Sequence, residues 1–152
     1  LVLQTMDLSA LVADMVEFYE PAAEDVGMEL RANVATDLTI SGESNLLRAM
    51  LANLIDNALK YGVSENAVVD VTLSQGRGTA DISVRDYGAG VPAAERARLT
   101  DRFVRVDASR SKPGAGLGLS MVKAVVGHHG GTMVLEDAGP GFVARISLPL
   151  AK

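Results

Sequence analysis

Two asparagines and a lysine occupy one narrow stripe of a predicted helix. Asn53, Asn57 and Lys60 are spaced by four and three residues, so at 100° per residue they span an arc of only about 60°. An asparagine carbonyl is a neutral oxygen ligand suited to a hard cation such as magnesium, and lysine is a mobile charge for phosphate. A pattern this short also arises by chance, so taken alone it is better explained as a solvated helix edge.

A carboxylate followed by two glycines forms the second candidate site. Asp86-Tyr87-Gly88-Ala89-Gly90 lies where a strand is predicted to end. A carboxylate fixed there can accept a hydrogen bond from an amine, and the glycines let backbone approach a flat ring such as adenine. A loose dinucleotide fingerprint through Ala93 is an alternative, but it needs a second strand ending near Asp107, which lies in a polar loop. A plain glycine turn also stays possible.

Four basic residues and the glycine-rich segment that follows them form the third candidate site. Arg102, Arg105, Arg110 and Lys112 fall within eleven residues, and Gly114-Ala115-Gly116-Leu117-Gly118 then leads into a helix. Backbone amides at a helix N-terminus attract anions, and glycines let the anions come close. The segment indicates a triphosphate cradle with a mobile basic cover, and a solvated surface loop is the alternative.

The elements that must position these residues alternate along the chain. Apolar periodicity predicts helices from after Asp7 to Gly27 with a kink at Pro21, over 43–61, opening at Pro92, and over 119–129. Alternating patterns predict strands over 28–33, 38–41, 67–74, 79–86, 132–136 and 141–148. Strands adjacent in sequence favour an α+β two-layer sandwich, in which helices cover one face of a mixed sheet.

Composition bounds the function. The chain of 152 residues, 48% hydrophobic and 22% charged, is expected to form one domain over 1–152. The absence of cysteine excludes disulfides and thiolate metal sites, and the net charge of -5 argues against nucleic-acid binding. No apolar run approaches the roughly 18 residues of a membrane span, so we expect no membrane contact by a fragment trimmed from a longer protein. P-loop and protein-kinase motifs are absent from the sequence.

Four segments together resemble the catalytic domain of sensor histidine kinases. Residues 53–61 resemble the N box, 86–90 the G1 box, 102–105 the F box and 114–119 the G2 box, in the family's order and spacing. Tyr87 stands where asparagine is common in the family. The resemblance covers nearly the whole chain. It implies the Bergerat ATP fold of gyrase, Hsp90 and MutL: a mixed sheet of about five strands backed by three helices, with a flexible ATP lid at about 101–116.

The resemblance also implies a role for each matching residue. Asp86 would bind the adenine amino group, and Asn57 with Asn53 would bind magnesium. Lys60 and Tyr61 would lie on the phosphate and sugar side. Arg102 or Arg105 would reach the γ-phosphate. The other implied nucleotide-binding residues are Gly88, Gly90, Val91, Phe103, Gly114, Gly116, Leu117 and Gly118.

The implied activity is transfer of the γ-phosphoryl group of Mg-ATP to a histidine. Hydrolytic relatives have a glutamate base at the position of Asn53, and an amide cannot accept a proton near neutral pH, so ATP would be kept for transfer. The acceptor would lie on a separate dimerisation hairpin of the same or the partner subunit, with a response regulator downstream, in the cytoplasm. His128 and His129 are interpreted as capping or packing residues, so this fragment alone should not autophosphorylate.

Three other functions stay open on the same fold. A nucleotide-sensing or pseudokinase module would bind ATP without transfer. A gyrase-type ATPase is disfavoured by Asn53. A serine kinase of the anti-sigma type is disfavoured by the lid and the segment from Arg102 to Arg105.

Overall fold

The computed structural model describes residues 2–62, 67–88 and 115–152, with side chains of the last range described from residue 119. A five-stranded mixed sheet is covered on one face by helices, which confirms the predicted α+β sandwich. The helices of the described ranges are α1 (Leu8–Asp25), α2 (Ser44–Tyr61) and α3 (Ala115–His128). The strands there are β1 (Gln4–Asp7), β2 (Glu29–Val34), β3 (Thr39–Gly42), β4 (Val68–Gln75), β5 (Thr79–Asp86), β6 (Thr132–Asp137) and β7 (Phe142–Pro149).

The main sheet has the strand order β2-β4-β5-β7-β6. Its β2–β4 pair is parallel and the other three pairs are antiparallel. The remaining strands, β1 and β3, pair with each other in a separate antiparallel ribbon. Strand β1 was not predicted, because it has four residues and mostly exposed side chains, so it lacks an apolar alternation. The predicted short helix at Pro92 lies outside the described residues.

Alternation along β5 decides which side chains face the helices. Ala80, Ile82 and Val84 are buried on that face, and Asp86 continues the same alternation at the end of the strand. Helix α2 packs its apolar stripe over this face, with Leu51 and Ile55 fully buried. The strand therefore delivers one carboxylate to the helix-covered side of the sheet, next to the C-terminal half of α2.

Helix ends follow the glycines, with one difference from prediction. After α1, Gly27 adopts φ 72° and the N–H of Met28 donates to the Ala23 carbonyl at 2.9 Å, which is a Schellman ending. Pro21 lies inside α1 without ending it, and the residue four positions before it is exposed, so water can solvate the unpaired carbonyl.

Helix α3 begins at Ala115, not near 119. The predicted start was late because glycines are poor helix formers, yet the first turn accommodates them.

His129 joins the end of α3 to the start of α2. Its ring is buried, Nδ1 donates to the Val125 carbonyl at 2.8 Å, and Nε2 accepts from the Glu43 N–H at 3.0 Å. Glu43 in turn caps α2, since its carboxylate accepts from the Leu46 N–H at 2.7 Å. The prediction that His129 packs is confirmed. His128 is exposed and meets the His129 ring edge-on.

These contacts predict different effects for two adjacent substitutions. His129→Ala should lower the free energy of unfolding by about 1–3 kcal/mol, because the Glu43 N–H loses its acceptor and a cavity opens. His128→Ala should leave it unchanged, since that side chain is exposed. Urea unfolding of the two variants checks the difference. Equal losses would contradict the role given to His129.

Candidate functional site

Asp86 lies at one side of a small cavity between sheet and helices. The cavity, about 40 Å³, is lined by Leu54, Asn57, Ala58, Val84, Asp86, Leu119, Phe142 and Ala144. Most of these side chains are apolar, so the amide of Asn57 and the carboxylate of Asp86 are its polar groups. Two residues that were predicted from separate sequence segments therefore face one space. An apolar lining with a few convergent polar groups is typical of small-molecule sites, whereas the volume is well below the roughly 300 Å³ at which such sites begin.

The Asp86 carboxylate is buried and held by backbone. It is 5% exposed, its Oδ1 accepts from the Gly88 N–H at 2.9 Å, and it accepts a further bond from the Phe142 N–H. Burial raises the pKa of Asp86 above its usual range, although both N–H groups and the charge of Arg85 oppose that rise. The stability linked to a raised pKa is complete below the unfolded-state pKa and is lost as pH rises through the folded-state pKa. Ionisation of Asp86 therefore opposes folding.

Two glycines bring α2 and the end of β5 into direct contact around Asp86. A Cβ on Gly62, just after α2, would lie 2.5 Å from both the Ala58 carbonyl and the Asp86 Cβ. A Cβ on Gly88 would lie 2.4 Å from the Tyr61 carbonyl. Neither position has room for a side chain. Gly88 was predicted as a site residue, whereas Gly62, directly after the predicted helix over 43–61, was not.

A third glycine closes the site from the β6–β7 turn. Gly141 has φ 95°, and a Cβ there would lie 1.9 Å from the Asp86 carbonyl oxygen. The turn is held in place because Arg85 Nη2 donates to the carbonyls of Ala138 and Pro140 at 3.2 Å each. Strand β7 is thereby brought against the carboxylate, with its first residue lining the cavity.

The predicted polar stripe on α2 has two half-buried asparagines in the arrangement that the sequence indicated. Asn53 Nδ2 donates to the Ala49 carbonyl at 2.9 Å, and this bond fixes the orientation of the Asn53 side-chain amide. Asn57 lines the cavity beside Asp86. Lys60 is exposed in the last turn of α2, and Tyr61 ends the helix half-buried. The stripe thus runs from the cavity to solvent.

Several predicted site residues lie beyond what the structure describes. Gly90, Val91, Arg102, Phe103, Arg105 and Gly114 are outside the described residues, as is most of the predicted lid. Gly116, Leu117 and Gly118 lie in the first turn of α3, where only backbone is described. Their amides therefore belong to the N-terminal turn of a helix, which is the backbone arrangement that favours anions.

Sequence reasoning missed part of the cavity wall. Val84 could have been found, because it lies two residues before Asp86 on the same face of β5. Phe142 and Ala144 could not, because they reach the cavity through the pairing of β7 with β5, where Ala144 lies opposite Val84. The position of Phe142 and Ala144 at the cavity is set by the order of strands in the sheet, which no local sequence pattern predicts.

Comparison with known proteins places this chain in a family. A model described as histidine kinase-, DNA gyrase B- and HSP90-like ATPase (HATPase_c) matches residues 42–152. The chain belongs to this family. Within it, the sensor-like histidine kinase SenX3 of Mycobacterium tuberculosis is 31% identical over 147 residues, covering 95% of this chain and 36% of that protein. The chain thus spans about a third of the length of that relative.

Solved histidine kinases have the same fold as this HATPase_c domain. The mycobacterial sensor histidine kinase MprB aligns with TM-score 0.80 and 31% identity, covering 98% of each chain. Full-length ShkA, solved in complex with AMPPNP, aligns with TM-score 0.83 and 31% identity over 99% of this chain and 31% of that one. The chain is therefore a catalytic domain of the sensor histidine kinase type, as predicted.

Proposed function

We propose that this domain binds Mg-ATP at the Asp86 cavity and transfers the γ-phosphoryl group to a histidine on a separate dimerisation hairpin. The observation that carries the proposal is the buried Asp86 carboxylate sharing one apolar cavity with Asn57. Keeping a carboxylate there opposes folding, so a ligand-binding role is the simplest reason for its presence. ShkA, a relative of the same fold, was solved with an ATP analogue.

The adenine amino group would donate to Asp86. Two backbone N–H groups already orient this carboxylate, and the apolar lining from Val84, Leu54 and Phe142 suits an aromatic ring. A hydrogen bond to a charged, desolvated acceptor selects an amine over a carbonyl, since a carbonyl would leave the carboxylate unpaired. This arrangement favours adenine over guanine.

The donor set of α2 fits magnesium bound jointly with phosphate. Among the described residues no cluster of three carboxylates, histidines or cysteines could hold a metal by itself, so amide oxygens of Asn57 and Asn53 would act together with phosphate oxygens. Asn53 fits, because its Nδ2 is engaged by Ala49 and a side-chain amide oxygen is a neutral ligand for magnesium. Bound magnesium would supply charge neutralisation at the β- and γ-phosphates.

The chain's own residues then position ATP instead of hydrolysing it. Asn53 is an amide at the place where a water-activating base would stand, and it cannot take a proton near neutral pH. Lys60 would add positive charge on the phosphate side, with Arg102 or Arg105 at the γ-phosphate. The acceptor imidazole attacks phosphorus in line, the bond to the ADP oxygen breaks, and a phosphorus–nitrogen bond forms.

The remaining assignments follow from this proposal. Residues 1–152 would form one catalytic domain, with an ATP lid at about 101–116 and the phosphoacceptor hairpin elsewhere in the protein. A response regulator would take the phosphoryl group onward, in the cytoplasm. None of the described helices is long and apolar enough to cross a bilayer.

Phosphotransfer in trans tests the proposal. The domain is incubated with labelled ATP, magnesium and a supplied dimerisation hairpin from a homologous histidine kinase that lacks its own catalytic domain. Acid-labile label should appear on the hairpin and not on this chain, because the proposed acceptor lies on the hairpin, while His128 is a surface residue that ends a helix and His129 is buried. ATP binding without transfer would favour a sensing module, and phosphate release without a labelled hairpin would favour an ATPase.

A further inference from the structure

Tyr87 is fixed on the face of the sheet opposite the helices. Its hydroxyl donates to Asp70 Oδ2 at 2.6 Å, and the Arg85 guanidinium carbon lies 4.3 Å from the centre of its ring. Asp70 is itself held by Arg31, whose Nε and Nη2 donate to its two oxygens at 2.7 and 3.0 Å. The side chain is therefore anchored across β2, β4 and β5, away from the cavity that Asp86 enters.

The protonation states of Asp70 and Tyr87 maintain the hydrogen bond that anchors the Tyr87 side chain. Hydrogen bonds from Arg31 and then Tyr87 lower the pKa of Asp70, although partial burial opposes that shift. The same bond to Asp70 raises the pKa of Tyr87. An ionised acceptor and a protonated donor therefore coexist across the neutral range, which gives a charge-assisted hydrogen bond.

The anchor lies one residue from the candidate adenine carboxylate. Tyr87 separates Asp86 from Gly88, and the Gly88 N–H donates to Asp86 Oδ1 at 2.9 Å. The two peptide planes on either side of Tyr87 decide where that N–H points. Gly88 is also packed against the Tyr61 carbonyl without room for a Cβ. The turn is thus held from the helix side at Gly88 and from the outer face at Tyr87.

We infer that Tyr87 is a positioning residue for the Asp86 carboxylate, acting through its hydroxyl on Asp70. Fixing the Tyr87 side chain fixes the Gly88 N–H that orients Asp86, and thereby the direction in which Asp86 meets an exocyclic amine. The consequence for ATP rests on the proposed function, whereas the effect on Asp86 itself does not. Tyr87 would touch no reacting atom of the proposed transfer.

The test combines three variants with one control. Tyr87→Phe removes the hydroxyl and keeps the ring, Asp70→Ala removes its acceptor, and the double variant combines them. Glu136→Gln is the control, because the exposed Glu136–Arg145 pair also joins neighbouring strands of this sheet but lies on β6 and β7, which carry neither Asp70 nor Asp86. NMR of the nucleotide-free protein follows the Asp86 carboxyl titration and the Gly88 amide, and calorimetry measures the Kd for ATP and for GTP.

Loss of the anchor should be visible before any nucleotide is added. In Tyr87→Phe the Asp86 titration should move to higher pH, since a hydrogen bond that favours the ionised form is weakened. The Kd for ATP should rise about three- to tenfold, as for loss of one oriented hydrogen bond, and the preference for ATP over GTP should fall by a similar factor. The double variant should be no worse than Tyr87→Phe alone, because both act on one contact.

Two results would overturn the inference. One is an Asp86 titration in Tyr87→Phe equal to that of the wild type and of Glu136→Gln, even if Tyr87→Phe melts at a lower temperature, because the contact would then only stabilise the fold. The other is full additivity of Asp70→Ala with Tyr87→Phe. If wild-type protein bound no ATP, the proposed function would fail, and the Asp86 titration would still decide the role of Tyr87.

Discussion

Asn57→Ala is expected to reduce magnesium-dependent phosphotransfer at least about 100-fold, because metal stabilisation of transferring phosphoryl oxygens is worth several kcal/mol. Asn57 is half-buried on α2 and lines the cavity that holds Asp86. Alanine retains the helix and removes the amide oxygen, so the change acts on the ligand and not on the fold. Transfer of label to a supplied hairpin, followed as a function of magnesium, measures the loss.

A matched control lies on the same helix. Asn45 is exposed in the first turn of α2, far from the cavity along the helix, so Asn45→Ala should keep both activity and magnesium dependence. The melting temperature of Asn57→Ala should stay close to that of the wild type. Retention of magnesium-dependent transfer in Asn57→Ala would show that the metal is held elsewhere.

Gly141→Ala is expected to lower the free energy of unfolding by about 3 kcal/mol or more, through left-handed backbone strain and overpacking together. The residue has φ 95°, and its Cβ would enter the space of the Asp86 carbonyl. Relief would require the end of β5 to separate from the β6–β7 turn, which moves Asp86. For a chain of this size the melting temperature should fall by roughly 6–12 °C, and ATP affinity should fall with it.

Substitution of Gly78 separates the effect of backbone strain from that of overpacking. It also has a positive φ, 67°, but a Cβ there meets nothing within 4 Å. Gly78→Ala should therefore show only the backbone strain, about 1 kcal/mol, and unchanged ATP affinity. Thermal unfolding and calorimetry of both variants make the comparison. Equal destabilisation by the two substitutions would mean that the turn can move away from Asp86 freely.

The sequence predicted the parts of the site that local patterns encode. Helical periodicity placed Asn53 and Asn57 on one stripe of α2, and strand alternation ended β5 at Asp86, both as the structure has them. Such patterns are reliable because each element has a fixed repeat and one buried face. The meeting of Asn57 and Asp86 in one cavity was implied by the family resemblance and is seen in the geometry.

What the sequence could not predict depends on contacts between distant elements. Phe142 lines the cavity, and Gly141 closes it, because β7 pairs with β5 although β6 lies between them in the chain. Tyr87 was noted as a departure from the family pattern, but its partner Asp70 is on another strand. Strand β1 is recognisable only through its pairing with β3. These features are fixed by sheet order and by side-chain partners, which no short window contains.

The site's stability and its proposed function oppose each other at Asp86. Burial raises the pKa of this carboxyl, so ionisation weakens the fold while making the acceptor that an adenine amine would need. Asparagine at this position removes the charge and keeps the size of the side chain. It should therefore reduce ligand binding without reducing stability, which is an unusual combination for a change at a buried residue.

Calorimetric titration of ATP into the wild type and Asp86→Asn, with a thermal melt of each at neutral pH, tests the central claim most directly. The wild type should bind one ATP, and the variant should bind at least about tenfold more weakly, as for loss of a hydrogen bond to a charged group. The variant should melt no lower than the wild type. Equal affinity of the two proteins for ATP, or no uptake by the wild type, would contradict the assignment of adenine to Asp86.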